Sequence, residues 1–184
     1  MDPFQLAQRT YLVGSGKGGV GKSTVAVNLA VALAQRKLNV GLLDADIYGP
    51  SVPAMMGLRR LSPQIDDSDT STVAVQPFTK FGIQTISVGF FIEEARSLVW
   101  RGPMLHSMLL KMIRDVRWGE LDVLLVDLPP GTGDIPISLS QLLTIDGSII
   151  VSTPQELAIL DAIKAINALD ALNIPLIGVV ENMA

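Results

Sequence analysis

The stretch Gly16-Lys-Gly-Gly-Val-Gly21-Lys22-Ser23 fits the pattern G-x-x-x-x-G-K-[ST] at every position. It lies between an apolar run, Thr10 to Ser15, and an amphipathic one over about Lys22 to Arg36, where Val25, Leu29, Ala32 and Leu33 recur at helical spacing. Strand, glycine-rich loop and helix in that order restrict the fold severely. The glycines permit positive φ, which turns the loop's N–H groups inward onto an anion. The N-terminus of the following helix adds partial positive charge beneath them. The residue types then suggest the chemistry. Gly16, Lys17, Gly18, Gly19, Val20 and Gly21 form a cradle for a phosphate chain, Lys22 neutralises its β- and γ-phosphates, and the Ser23 hydroxyl ligates Mg²⁺. The plain alternative is a tight glycine turn with chance lysines, and the flanking strand and helix weigh against it.

A magnesium–nucleotide site also needs carboxylates where neighbouring strands end. Asp127 closes the apolar run Val123-Leu-Leu-Val126, the pattern of a Walker B strand, and is placed to hold Mg²⁺ through water. Asp44 and Asp46 follow the run Val40 to Leu43 and alternate, so both can face one crevice. Asp44 therefore joins Ser23 and Asp127 as a candidate for the metal. Each aspartate also has a plainer reading as a solvated strand-end or helix-cap residue. The loop after Asp127, Leu-Pro-Pro-Gly131-Thr-Gly133-Asp134, reads either as a switch that follows a γ-phosphate or as a rigid turn with Asp134 capping the next helix.

The rest of the chain alternates strand and helix. The spacing predicts strands at Val73 to Val75, Ile83 to Val88, Asp122 to Asp127, Ile149 to Ser152 and Pro175 to Val180. It predicts a helix from Gly102-Pro103 to about Val116, with Met104, Leu105, Met108, Leu109, Met112, Ile113 and Val116 as its apolar stripe. Thr153-Pro-Gln-Glu156 has capping-box spacing and opens a helix with Ile159, Ile163 and Ile166 on one face. Tyr48 to Met56 is punctuated as a loop leading to a short helix, and Ser62 to Thr72 is polar and flexible in composition. The expected fold is α/β: one domain over residues 1–184, a doubly wound and mostly parallel sheet of the P-loop NTPase kind.

Composition narrows the function classes. Hydrophobic residues make up 48% and charged residues 17%, which suits a sheet covered on both faces and excludes disorder as the dominant state. The net charge is −4, so no global basic field for nucleic acid exists. The longest strongly apolar stretch, Val25 to Ala34, is interrupted by Asn28 and falls short of the ~20 residues that span a bilayer. Residues 1–9 lack an apolar secretory core, so the cytoplasm is the expected compartment. The chain has no cysteine and one histidine, His106, which leaves no thiolate ligand and makes an all-protein transition-metal site implausible.

Lys17, directly after the first glycine of the loop, resembles the signature lysine of the deviant Walker A in the MinD/ParA/nitrogenase-iron-protein group. The resemblance implies that Lys17 contacts phosphate across an ATP-sandwich homodimer. Asp44-Ala-Asp-Ile-Tyr-Gly-Pro-Ser-Val-Pro53, Trp100-Arg-Gly-Pro103, Trp118-Gly-Glu-Leu-Asp122, Asp127-Leu-Pro-Pro-Gly-Thr-Gly-Asp134, Thr153-Pro-Gln155 and Glu181-Asn-Met183, in that order, look like the Mrp/ApbC family of ATP-binding iron–sulfur cluster carriers. The match runs from about residue 10 to 184. It implies that Asp46 positions the attacking water, Asp127 and Ser23 serve Mg²⁺, Thr24 touches the α-phosphate and Asn182 contacts adenine. It further implies slow ATP hydrolysis and, as partners, apoprotein clients or iron–sulfur assembly proteins, with neither nucleic acid nor membrane. Two other functions compete: a MinD- or ParA-like ATP-dependent positioning switch, and a cluster-free nucleotide-dependent scaffold.

Two departures from the family pattern stand out. The family carries a Cys-x-x-Cys pair shortly after the Glu-Asn-Met segment, and strands and helices that complete the sheet beyond it. Neither is found here, so the expectation is a domain lacking its usual C-terminal part, without the cysteines that hold a cluster.

Overall fold

The computed structural model describes residues 2–66, 74–91 and 102–184. Trp100 and Arg101, and most of the polar stretch expected over 62–72, lie outside the described residues.

Strand β1 (Ala7–Gly14) leads through the glycine-rich loop into helix α1 (Lys22–Gln35) and then β2 (Val40–Asp44). A short α2 (Val52–Met55) and two small strands, β3 (Ile65–Asp66) and β4 (Ala74–Val75), come before β5 (Phe78–Lys80) and β6 (Ile83–Ser87). Helix α3 (Gly102–Arg114), strand β7 (Leu121–Asp127), helix α4 (Asp134–Leu142), strand β8 (Gly147–Ser152), helix α5 (Glu156–Asp170) and strand β9 (Leu176–Glu181) complete the chain. Seven strands form one sheet in the order β5-β6-β2-β7-β1-β8-β9. All neighbours are parallel except β5 against β6. The β3–β4 pair stands apart as an antiparallel ribbon. The strands expected at Val73 to Val75 and Ile83 to Val88, which as neighbours would form a local hairpin or a sheet edge, belong to separate sheets, with β6 inside the main one; Val73 itself lies outside the described residues. The strand β5 carried no periodic signal because three residues are too few to show alternation.

Alternation along the central strands divides the core. Leu43, Leu124 and Val126 join one apolar cluster with α3, α4 and α5, whereas Leu42, Val123 and Leu125 join a second with α1 and α2. The sheet is therefore covered on both faces, which explains the continuous apolar strands. At its edge, β9 leaves Leu176, Ile177 and Val179 exposed.

Two helices bury a different face from the one expected. In α1 the buried positions are Ala26 and Ala30, with Lys22 and Ser23, while Val25, Leu29 and Leu33 are half-buried and Ala32 is exposed. In α5 the buried residues are Ala158, Ala162, Ala165 and Leu169, while Ile159 and Ile163 remain 46% and 47% exposed. Small residues on the inner face let these helices lie close to the sheet and the loop, which larger side chains would prevent. Likewise Met104 at the start of α3 is 49% exposed, although Met112 is buried and Met108 packs against the core. His106 is half-buried, in keeping with a boundary position. The anticipated caps also shift. Asp134 is the first residue of α4 behind Gly133, and α5 begins at Glu156 behind Gln155, so Thr153 makes no capping box.

Candidate functional site

The parallel register brings the sequence-distant carboxylates together. Asp127 at the end of β7 pairs with Val13 of β1 on one side and with Asp44 of β2 on the other. Asp44 in turn pairs with Ser87 of β6. All of these stand at the carboxyl ends of the strands, where the loop between β1 and α1 also begins. Open parallel sheets bind their ligands at this edge.

The loop takes the shape that its residues permit. Gly19 and Gly21 have φ of 82° and 85°, a region that side chains disfavour. Gly16 makes a close approach instead: a Cβ there would run into the backbone of Asp161 and Ala162 in α5. The alanine face of α5 is what makes room for it. Ser15 Oγ donates to the Lys17 carbonyl at 3.0 Å, and the Gly131 N–H donates to the Ser15 carbonyl at 2.8 Å, tying the loop after β7 to the phosphate loop. A cleft of about 240 Å³ opens over it, lined by Ser15, Gly18, Gly19 and the run from Gly21 to Thr24 together with Asp46, Gly49, Ser51, Met55 and Pro130.

Lys22 is the centre of the charge arrangement. Its Nζ lies 2.7 Å from Asp127 Oδ1 and 3.6 Å from Asp46 Oδ2, and it donates to Ser23 Oγ at 3.1 Å. Lys22 is 7% exposed and Asp127 not at all, so the pair is shielded from solvent. Burial pushes the Asp127 carboxyl up from the usual carboxylate range, while the Lys22 ammonium pulls it back. Its second oxygen, Oδ2, is buried without a hydrogen-bond partner. Asp46 Oδ1 accepts from the amides of Tyr48 at 3.3 Å and Gly49 at 3.2 Å, which fixes its carboxylate in the cleft wall.

Asp44, expected among the metal ligands, stands behind the cleft rather than in its wall. Its Oδ2 accepts from Ser87 Oγ at 2.8 Å and its Oδ1 from the Asp46 amide at 3.1 Å, leaving both oxygens engaged. Burial first, and then the charge of Asp127, push its carboxyl up to about 7, although the two hydrogen bonds oppose that. Lys17 is exposed, and its side chain has no hydrogen bond or ion pair among the described residues. Thr24 is exposed at the cleft rim. Asn182, at the end of β9, donates from Nδ2 to the Val20 carbonyl at 2.9 Å.

Among the described residues no group of three or more His, Cys, Asp or Glu is arranged to hold a metal by itself. A Mg²⁺ ion at this loop fits nonetheless, because it keeps waters and binds through one or two protein oxygens plus phosphates. The unpartnered Asp127 Oδ2 beside Ser23 is consistent with such a site. Two contributors were missed by motif reasoning: Ser87, and the α5 backbone under Gly16. Neither carries a local signal, since each is fixed by strand order or by helix position.

The comparisons with known proteins show the family and the fold. The ParA family model, described as NUBPL iron-transfer P-loop NTPase, matches residues 7–184. The iron-sulfur protein required for NADH dehydrogenase of Arabidopsis thaliana is 51% identical over 173 residues, 94% of this chain and 54% of its own length. The iron-sulfur cluster transfer protein NUBPL of Mus musculus is 48% identical, covering 99% of this chain and 56% of its own. The chain spans about half the length of the curated relatives it matches. Among solved structures, a nucleotide-binding protein of Archaeoglobus fulgidus in complex with ADP superposes with a TM-score of 0.80 at 39% identity, over 97% of this chain and 68% of that one. The MinD protein of Pyrococcus horikoshii, complexed with Mg-ADP, shares the fold at a TM-score of 0.69 and 21% identity, over 97% of this chain and 70% of that one.

Proposed function

Because this chain belongs to the ParA family of NUBPL-type iron-transfer P-loop NTPases, we propose that it binds ATP with Mg²⁺, hydrolyses it slowly as a homodimer, and serves the delivery of iron–sulfur clusters to apoproteins. The observation that carries the reading is the buried cluster of Lys22, Ser23, Asp46 and Asp127 under a glycine-rich loop at a helix N-terminus. Loop amides from Gly16 to Gly21 bind the phosphate chain, and Lys22 offsets its charge. Thr24, exposed at the cleft rim, is the residue to touch the α-phosphate. Mg²⁺, when bound, draws negative charge from the phosphate oxygens; Ser23 and, through water, Asp127 are the residues to hold it. Asp44 supports them from behind by fixing the Asp46 amide.

For hydrolysis, the carboxylate that orients water is Asp46, held still by the Tyr48 and Gly49 amides. Lys17, exposed on the loop, reaches toward the phosphates of the partner subunit in a dimer. Asn182 contacts the adenine. The cluster is cargo. Thiolates would have to hold it, and the sequence contains no cysteine, so no cluster ligand is assigned among these residues.

The experiment is phosphate release from Mg-ATP by the wild type, Lys17→Ala and Asp46→Asn. Turnover in the wild type, lost by about a hundredfold or more in Asp46→Asn with the fold intact, supports the assignment. Unchanged turnover in Lys17→Ala sinks the role across the dimer.

A further inference from the structure

The Val20 carbonyl belongs to a buried residue just outside the first hydrogen bond of α1, which runs from the Val25 amide to the Gly21 carbonyl. A buried carbonyl needs a donor, and no turn of the helix supplies one here. The donor comes from 162 residues away: the Asn182 amide, at 2.9 Å. Asn182 is itself anchored, since its backbone N–H donates to the Ser152 carbonyl at 2.8 Å and continues the β8–β9 ladder. It also occupies the space beside Gly21, where a Cβ would collide with its Nδ2.

We propose that Asn182 is a positioning residue for the phosphate loop, a strut from the end of β9 that fixes the Val20–Gly21 peptide so that the next amides and Lys22 face the phosphates. This is separate from any contact with the base. It acts through the loop backbone, and it rests on the reading of residues 16–24 as a phosphate cradle. Without the strut, the left-handed turn at Gly21 (φ 85°) is free to rearrange, because glycine imposes no side-chain restraint there.

The test measures the affinity of the wild type, Asn182→Ala and Asn182→Asp for Mg-ATP and for magnesium tripolyphosphate, which has phosphates but no base. Asp keeps the shape but loses the N–H that Val20 requires, and thermal melts of each variant establish that it is folded. The expected result is a loss of roughly three- to tenfold for tripolyphosphate in both variants, the size of one hydrogen bond, and a loss at least as large for ATP. A loss confined to ATP, with tripolyphosphate unchanged, overturns the strut and leaves Asn182 acting on the base. No loss for either ligand overturns it as well. If the wild type binds neither ligand, the phosphate-cradle reading itself fails, and the strut with it.

Discussion

At the scale of residues, Lys22 holds together a site that would otherwise repel itself. Asp127 and Asp46 both reach its ammonium, at 2.7 and 3.6 Å, inside a region nearly closed to water. Breaking a buried pair costs about 3–5 kcal/mol because a charge is left without a partner. Asp127, whose carboxyl is already pushed up by burial, can relieve that by taking a proton. Lys22→Ala is therefore expected to lose less stability at low pH, where Asp127 can be protonated, than at high pH, as urea unfolding over a pH series will show. Asp44 gives a second pH dependence. Its carboxyl is raised to about 7 in the fold, against about 4 in an unfolded chain. Between those values the folded state holds a proton that the unfolded state releases, so stability falls as pH rises through that window and levels off above it. Melting curves from pH 4 to 8 should show a shallower fall in Asp44→Asn than in the wild type; equal slopes would contradict the assignment. Motif reading found Asp44, Asp46 and Asp127 because strand-end aspartates are visible in sequence. It could not see that Asp44 turns its oxygens to Ser87 and the Asp46 amide, since that depends on which strand lies beside β2.

At the scale of elements, the helix faces were read from large apolar residues, and there the sequence misleads. In α5 the isoleucines at 159 and 163 stand in solvent while Ala158, Ala162 and Ala165 face inward. Apolar periodicity marks an amphipathic helix correctly, but it cannot tell which side must be thin. The thin side is set by Gly16, whose α-carbon rests on the α5 backbone at Asp161 and Ala162. Ala162→Leu is accordingly expected to cost about 1–3 kcal/mol by overpacking and to weaken ATP binding by pushing the loop outward. Ile163→Gln should change stability by no more than about 0.5 kcal/mol. Denaturant melts with a parallel ATP titration compare them. Equal effects of the two substitutions would mean that α5 does not set the loop. The strand positions were legible because buried parallel strands announce themselves as short apolar runs; β5, the short β3 inside the stretch read as flexible, and the split of β4 from β6 escaped notice.

At the scale of the whole molecule, the doubly wound, mostly parallel character of the sheet was inferable from alternating strands and helices, and the family from motifs spread along the chain; the strand order was not. Those motifs place the phosphate loop, Asp127 and Asn182 at one end of the sheet, and the fold brings them there. The relatives are about twice as long as this chain. Among the described residues no helix is long and apolar enough to cross a membrane. With no cysteine in the sequence, anaerobic reconstitution with iron and sulfide should leave these 184 residues without stoichiometric iron. Stoichiometric uptake would require ligands of another kind and would revise the account. The central claim, that this loop and its buried lysine form a Mg-nucleotide site, is tested most directly by calorimetric titration of ATP into the wild type and Lys22→Ala, with Mg²⁺ and without. The account predicts saturable binding to the wild type that strengthens with Mg²⁺ and is lost in Lys22→Ala. Equal binding by both proteins, or none by a folded wild type, would contradict it.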